Sequence, residues 1–341
     1  MKKSLMTLGV LALFVLMAYG QEKKFALYSV AFYNMENLFD TIHDEGKNDY
    51  EYLPNGTNQW NTMKYKAKLK NMSEILSMLS TDKLPMGPAI IGVSEIENYR
   101  VLEDILKQPA LADRGYQYVH YEGADQRGVD CAFFYNPKLF ELTNSKLVPY
   151  VYINDTVHKT RGFLIASGNI AGEKMHFIVN HWPSRAAASP ARERAGEQGR
   201  AIKDSLLRED SAAKIVIMGD MNDDPMDKSM AVALGAKRKP ADVGPTDLYN
   251  PWWDTLKKGY GTLMYKGKWN LFDQIVFTGN LLGTDRSTLK FYKHEIFRRD
   301  FMFQKEGKYK GYPKRTQAGG VWLNGYSDHL PTIIYLIKEV K

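Results

Sequence analysis

The stretch Lys214–Pro225, KIVIMGDMNDDP, decides the fold. Its run Ile215-Val216-Ile217-Met218 predicts a buried strand closed by Gly219, and that strand delivers Asp220, Asn222, Asp223 and Asp224 into the loop at its end. A rigid strand that aims acids and amides at one spot suits catalysis or cation binding. An isolated GDMN would also make an ordinary Asn/Asp-rich turn. The chemical reading gains weight because four other stretches place polar groups at strand ends in the same style.

Upstream, Tyr28 to Tyr33 alternates in polarity and ends in Asn34-Met35-Glu36-Asn37. Pro88 to Val93 predicts a second buried strand, followed by Ser94-Glu95-Ile96-Glu97-Asn98. A glutamate just past a strand that is apolar on both faces is costly unless paired or bound to a cation, so Glu95 is the leading metal ligand; Glu97 suits a helix N-terminus. Met175 to Asn180 ends in His181-Trp182-Pro183-Ser184-Arg185, which makes His181 a candidate proton donor or acceptor. Downstream, Asp273 interrupts the apolar run Trp269 to Phe277 and needs a partner. Ser327-Asp328-His329 precedes the closing strand Thr332 to Ile337, and Asp273 could orient the His329 imidazole. Arg127 beside Gly128 and Arg161 beside Gly162 could each present a guanidinium fork to a phosphate.

The connecting segments read more plainly. A polar loop runs to Trp60, and Met63 to Ser80 predicts an amphipathic helix with Met72, Ile75, Leu76 and Leu79 inward and Lys64, Lys66, Lys68 and Lys70 outward. Ala186 to Leu207 predicts a helix leading into the Asp220 strand, and Pro225 to Gly259 reads as loop. Arg298 to Arg315 interleaves seven Lys and Arg residues with Phe301, Phe303, Tyr309 and Tyr312, a mixture that suits a phosphate backbone with stacked bases or a solvated loop.

Residues 1–20 carry Lys2 and Lys3 ahead of an apolar run from Leu5 to Ala18, too short for a comfortable membrane span. With small residues at Ala18 and Gly20 they predict a secretory signal, and export to the periplasm or the cell exterior. Residues 21–341 are expected to form a single domain, since no linker, charge block or low-complexity tract divides them. The formal charge of +7 falls to +5 without Lys2 and Lys3, compatible with an anionic substrate. One cysteine, Cys131, excludes a disulfide-stapled scaffold.

The ordered series Asn34-Met35-Glu36, Glu95, Asn180-His181, Gly219-Asp220-Met221-Asn222, Asp273 and Ser327-Asp328-His329 resembles the endonuclease/exonuclease/phosphatase superfamily. GDxN together with SDH carries most of that likeness, which covers nearly the whole chain beyond residue 20. The resemblance implies a DNase I-like four-layer α/β sandwich: two packed mixed β-sheets flanked by helices, with the site where loops meet at one end. It implies a divalent cation at Glu95, with Glu36 and Asp328 beside it; oxygen ligands favour Mg, with Mn or Ca as alternatives. It further implies Asn34, Asn222 and Arg161 on phosphate oxygens, Asp220 on the attacking water, His329 as base or transition-state stabiliser, and His181 protonating the leaving oxygen. The tyrosine that shapes the site in some members has no clear match near Arg127.

The expected activity is hydrolysis of phosphodiester bonds in nucleic acid with little sequence preference. A phosphodiesterase or phosphatase for phospholipid or sugar-phosphate head groups is the alternative, and no obligate protein partner is expected. A catalytically dead binding module is disfavoured because every acid and histidine of the set is present.

Overall fold

The computed structural model describes residues 23–152 and 157–340, so the leader-like residues 1–20 lie outside the described residues. In chain order β1 (Lys24–Leu38) precedes α1 (Thr62–Met78), β2 (Ile90–Ile96), α2 (Tyr99–Leu106), β3 (Gln117–His120) and β4 (Asp130–Tyr135). There follow β5 (Glu141–Val148), β6 (Phe163–Ile170), β7 (Glu173–His181), α3 (Ser189–Glu209), β8 (Lys214–Asp220), β9 (Ala236–Lys237) and β10 (Leu248–Tyr249). The last third holds α4 (Trp253–Lys257), the hairpin β11 (Leu263–Tyr265) and β12 (Lys268–Asn270), β13 (Asp273–Thr278), β14 (Lys290–Ile296), the small hairpin β15 (Gln317–Ala318) and β16 (Val321–Trp322), and β17 (Thr332–Val340).

Two mixed sheets result. One has six strands in the order β14-β17-β1-β2-β4-β3; the other has seven in the order β5-β6-β7-β8-β13-β10-β9. The period-two alternation of each strand builds the layers. Val30 and Phe32 of β1 face the second sheet, among Phe177, Val179, Val216 and Met218. Ala31 and Tyr33 face the other way, toward Leu69, Met72, Ile75 and Leu76 of α1 and Val101, Leu102 and Ile105 of α2. On the far side, Ile178, Ile215 and Ile217 pack against Ala195 and Leu206 of α3 and against Met230 and Leu234 of a π-helical turn, Ser229–Leu234. The molecule is therefore the four-layer α/β sandwich that the sequence implies.

Gly92 sits against the facing sheet: a Cβ there would lie 2.6 Å from Met218 Sδ and 3.0 Å from Val179 Cγ2. Gly219 of the GDMN run has an equally local cause, since a Cβ would meet the carbonyl oxygen of Asn180, its register partner on β7, at 2.0 Å. Among the described residues, no helix is long and apolar enough to cross a membrane.

Three segments differ from expectation. The run Trp269 to Phe277 is not one strand but the second arm of a hairpin followed, after a two-residue break, by β13. Pro225 to Gly259 carries the π-helical turn, two short strands and α4 rather than plain loop. Lys68 does not face outward: it is fully buried. It lies three residues after Tyr65 and four before Met72, on the inward stripe of α1.

Candidate active site

The site forms at the seam between the sheets. On the second sheet, His181, Asp220 and Asp273 are the last or first residues of β7, β8 and β13 and stand side by side in register. On the first, Asn34 pairs with Ser94, and both β1 and β2 lose register immediately after that pair. These irregularities turn Glu36, Asn37 and Glu95 into the left-handed region, with φ of 47°, 53° and 58°. Asn222 joins them at 51°, so four of the nine described non-glycine residues with positive φ cluster here. Such backbone is costly for side-chained residues, and bulges that re-aim functional groups are where it persists.

Asn34 ties the two sheets together. Its Nδ2 donates to Glu95 Oε1 at 3.2 Å and to Asp220 Oδ2 at 3.0 Å, while its Oδ1 accepts from Glu36 N at 2.9 Å. The other Glu95 oxygen accepts from Asn37 N at 2.9 Å. His181 Nε2 lies 3.6 Å from Asp220 Oδ2 and 3.9 Å from Glu95 Oε1. His329 Nδ1 is 2.7 Å from Asp273 Oδ2, which directs Nε2 toward Asp220 Oδ2 at 3.8 Å. Asp273 thus has the partner it needs. Ser327 fixes the turn by donating to Asn34 O at 2.8 Å and accepting from His329 N at 3.1 Å.

Electrostatics separate the two histidines. Burial pushes His181 well below the ordinary imidazole range, and Arg161, Arg127 and His329 add to the effect. Burial works against a charged His329 too, but Asp273 and Asp220 outweigh it and hold that imidazole well above its usual value. Burial, with Asp273 and Glu95 nearby, raises Asp220 to about 7. Carboxylates crowded beyond what neighbouring cations offset are a fit for a bound metal, and Glu95, His181 and Asp220 hold three potential ligand atoms within 4.8 Å of one another. Asp220, Asp273 and His329 form a second such group sharing Asp220.

Other expected residues are placed differently. Glu36 is not directed at the Glu95 group: its oxygens accept from Arg315 Nε at 2.8 Å and Thr316 N at 2.7 Å, and the buried Lys68 ammonium lies 3.8 Å away. Asp328 sits between, with Oδ2 paired to Arg315 Nη2 at 2.9 Å and Oδ1 3.9 Å from His329 Nε2. The Asn222 amide uses one of its two hydrogens on Trp182 O at 3.0 Å and still lines the groove, whereas both hydrogens of Asn34 Nδ2 serve acids. Glu97 does stand at a helix N-terminus, one residue before Asn98, the N-cap of α2, where its carboxylate accepts from Asp40 N at 2.7 Å.

A groove of about 480 Å³ runs over Glu95, His181, Asp220, Asn222 and His329, with Arg127, Arg161 and Tyr152 on its walls. Sequence reasoning missed the residue behind the arginines. Buried Asp125 accepts from Arg161 Nη1 at 2.9 Å, from Thr160 Oγ1 at 3.2 Å and from Arg127 N at 3.0 Å. Arg161 also donates to Trp182 O at 3.0 Å, whereas Arg127 is half exposed at the rim. Lys68, Arg315 and Thr316 were missed as well, and of these only Lys68 carried a signal, its helical spacing.

The basic-aromatic segment is not a bare stacking surface. The Arg298 guanidinium lies 4.9 Å from the ring centroids of both Trp269 and Phe303 and 5.6 Å from that of Tyr260, so these rings enclose a cation. Tyr312 Oη accepts from Gly267 N at 2.6 Å. A pocket of about 400 Å³ nevertheless opens beside them, lined by Arg298, Arg299, Lys305 and Lys310.

Residues 29–338 match the family model described as "Endonuclease/Exonuclease/phosphatase family". Comparison with curated proteins returns no match. Among solved structures, the fold is similar to an endonuclease/exonuclease/phosphatase family protein from Bacteroides thetaiotaomicron, with TM-score 0.58, 14% identity and coverage of 93% of this chain and 97% of that one. It is also similar to a mannosyl-6-phosphatase from the same organism (0.56, 14%, 91% and 99%) and to D. rerio TDP2 complexed with a single-strand DNA product (0.53, 15%, 91% and 99%). At these identities the likeness concerns the fold, whereas the family match spans nearly all the described residues. The chain therefore belongs to the endonuclease/exonuclease/phosphatase family of phosphoester hydrolases.

Proposed function

We propose that this chain is an exported, divalent-cation-dependent nuclease that hydrolyses phosphodiester bonds of nucleic acid with little sequence preference. The observation that carries the reading is the groove itself: acids from both sheets converge on its floor, and two arginines anchored on one buried aspartate form its wall. The basic pocket lined by Arg298, Arg299, Lys305 and Lys310 and the formal charge of +5 left without Lys2 and Lys3 favour a polyanion over a small ester.

A cation, Mg first and Mn or Ca as alternatives, would be held by Glu95 with Asp220 and Asp328 beside it, and would supply neutralisation of charge on the phosphate oxygens. The protein's own groups do the rest. Arg127 at the rim, with Arg161 behind it, orients the phosphate. Asp220 positions the attacking water and accepts its proton. His329, held by Asp273, presents a charged Nε2 that stabilises the developing negative charge, while His181 offers an N–H toward the leaving oxygen.

The test is a substrate panel with the purified protein: plasmid DNA, RNA, short oligonucleotides, sphingomyelin and sugar phosphates, each with Mg, Mn, Ca or EDTA. The expected result is cation-dependent cleavage of nucleic acid that weakens steeply with added salt and is abolished by EDTA. Hydrolysis confined to lipid or sugar phosphates would replace the nuclease reading. The same cations should raise the thermal midpoint of the wild type and not that of Glu95→Gln.

A further inference from the structure

A second pocket, of about 380 Å³, has Asn37 and Glu36 in its lining. It shares no lining residue with the arginine-walled groove, and Asn37 joins the two: it lines the second pocket while its backbone N–H donates to Glu95 Oε2. Glu95 Oε1 meanwhile faces His181 on the groove side. Glu95 therefore lines one cavity and, through Asn37, is tied to a second of different character.

The groove carries Arg127 and Arg161, so charge assigns the phosphate to that side. Among the described residues that line the second pocket, none is an unpaired cation. Its one arginine, Arg315, already pairs through Nε with Glu36 and through Nη2 with Asp328, and Glu36 and Glu51 also line the cavity. An anionic group would meet these carboxylates. What the lining residues themselves offer is neutral: the amides of Asn58 and Gln317, the ring of Tyr52, stacked on Phe39 on one side, and the ring of Tyr309, 52% exposed with the Lys308 ammonium 5.5 Å from its centroid. Flat rings beside amide donors and acceptors match a planar base with a hydrogen-bonding edge, carried on a hydroxylated sugar.

We infer that the pocket between Tyr52 and Tyr309 is the subsite for the uncharged part of the ester, the nucleoside attached to the scissile phosphate. This rests on the nuclease reading and adds where the substrate's specificity is read. The phosphate then lies over Glu95 and Asp220, with the nucleoside on the Arg315 side.

Steady-state kinetics of the wild type, Tyr309→Ala, Tyr309→Phe and Gln317→Ala test this on two substrates, a short oligonucleotide and methyl 4-nitrophenyl phosphate, which has no nucleoside. Tyr309 is exposed, so its variants are expected to keep the wild-type melting temperature. The expected result is a loss of at least about tenfold in kcat/KM on the oligonucleotide for Tyr309→Ala, mainly through KM, with rescue in Tyr309→Phe and less than about twofold change on the simple ester. Equal losses on both substrates, or none on either, would overturn the subsite, as would a sugar phosphate whose hydrolysis alone depends on Tyr309. A wild type that cleaves the simple ester and no nucleic acid sinks the nuclease reading instead, so the two failures are distinguishable.

Discussion

At the scale of single residues, the acids that support the site matter as much as those that line it. Asp125 anchors Arg161 and the backbone of Arg127 from a buried position, so losing its charge loosens the phosphate-facing wall without touching the floor. Asp125→Asn should lower kcat/KM on a phosphodiester by about tenfold, with most of the change in KM, measured by initial rates over a substrate series. Lys68 tests the other side. Its ammonium donates to Glu36 O, Tyr326 O and Thr316 Oγ1, with Glu36 Oε2 3.8 Å away. Lys68→Met leaves those buried groups short of a donor and Glu36 short of a counter-charge, and should cost about 3 kcal/mol in urea unfolding. Adding Glu36→Gln should recover part of that loss if the ion pair is its cause.

At the scale of elements, the strands were the most legible part of the sequence. Period-two alternation in Tyr28 to Tyr33 and the apolar runs ending at Val93, Asn180 and Gly219 identified β1, β2, β7 and β8, and their polar ends named Asn34, Glu95, His181 and Asp220. What stayed hidden depends on contacts made at long range. Asp125 meets Arg161 only because the fold brings residues 36 positions apart together. The left-handed turns at Glu36 and Glu95 fall on residues whose identity gives no such signal, unlike glycine. Lys68 was legible by spacing, yet its charge suggested the surface. The close approach at Gly92 was likewise invisible from β2 alone. Gly92→Val should lower stability by roughly 1–3 kcal/mol, because Met218 and Val179 of the facing sheet occupy the space; denaturant midpoints of Val and Ala variants would check it.

At the scale of the whole molecule, stability responds to pH through groups far from the groove. His294 on β14 sits edge-on to Trp252, 4.8 Å between centroids, with Nε2 2.9 Å from Thr255 Oγ1. Burial, helped by Lys258, lowers its pKa to about 4. Because the folded value lies below the unfolded one of about 6.5, the unfolded chain takes up the proton first as pH falls. Its stabilising contribution is complete above pH 6.5 and fades between there and pH 4. The wild type should therefore lose more stability between pH 7 and pH 4.5 than His294→Gln, and urea midpoints at the two pH values would show it. Identical pH slopes would mean that His294 is not involved.

Antiparallel pairing of β1 with β17 sets Lys24 opposite Val340, while the other ends of the same strands lead to Asn34 and, through the Ser327–His329 turn, to the imidazole. Ten residues of extended chain, about 33 Å, separate Lys24 from Asn34. A short covalent link between residues 24 and 340 would thus close the chain into a ring at the pole opposite the chemistry. Such a cyclised or permuted enzyme should turn over normally while resisting exopeptidases.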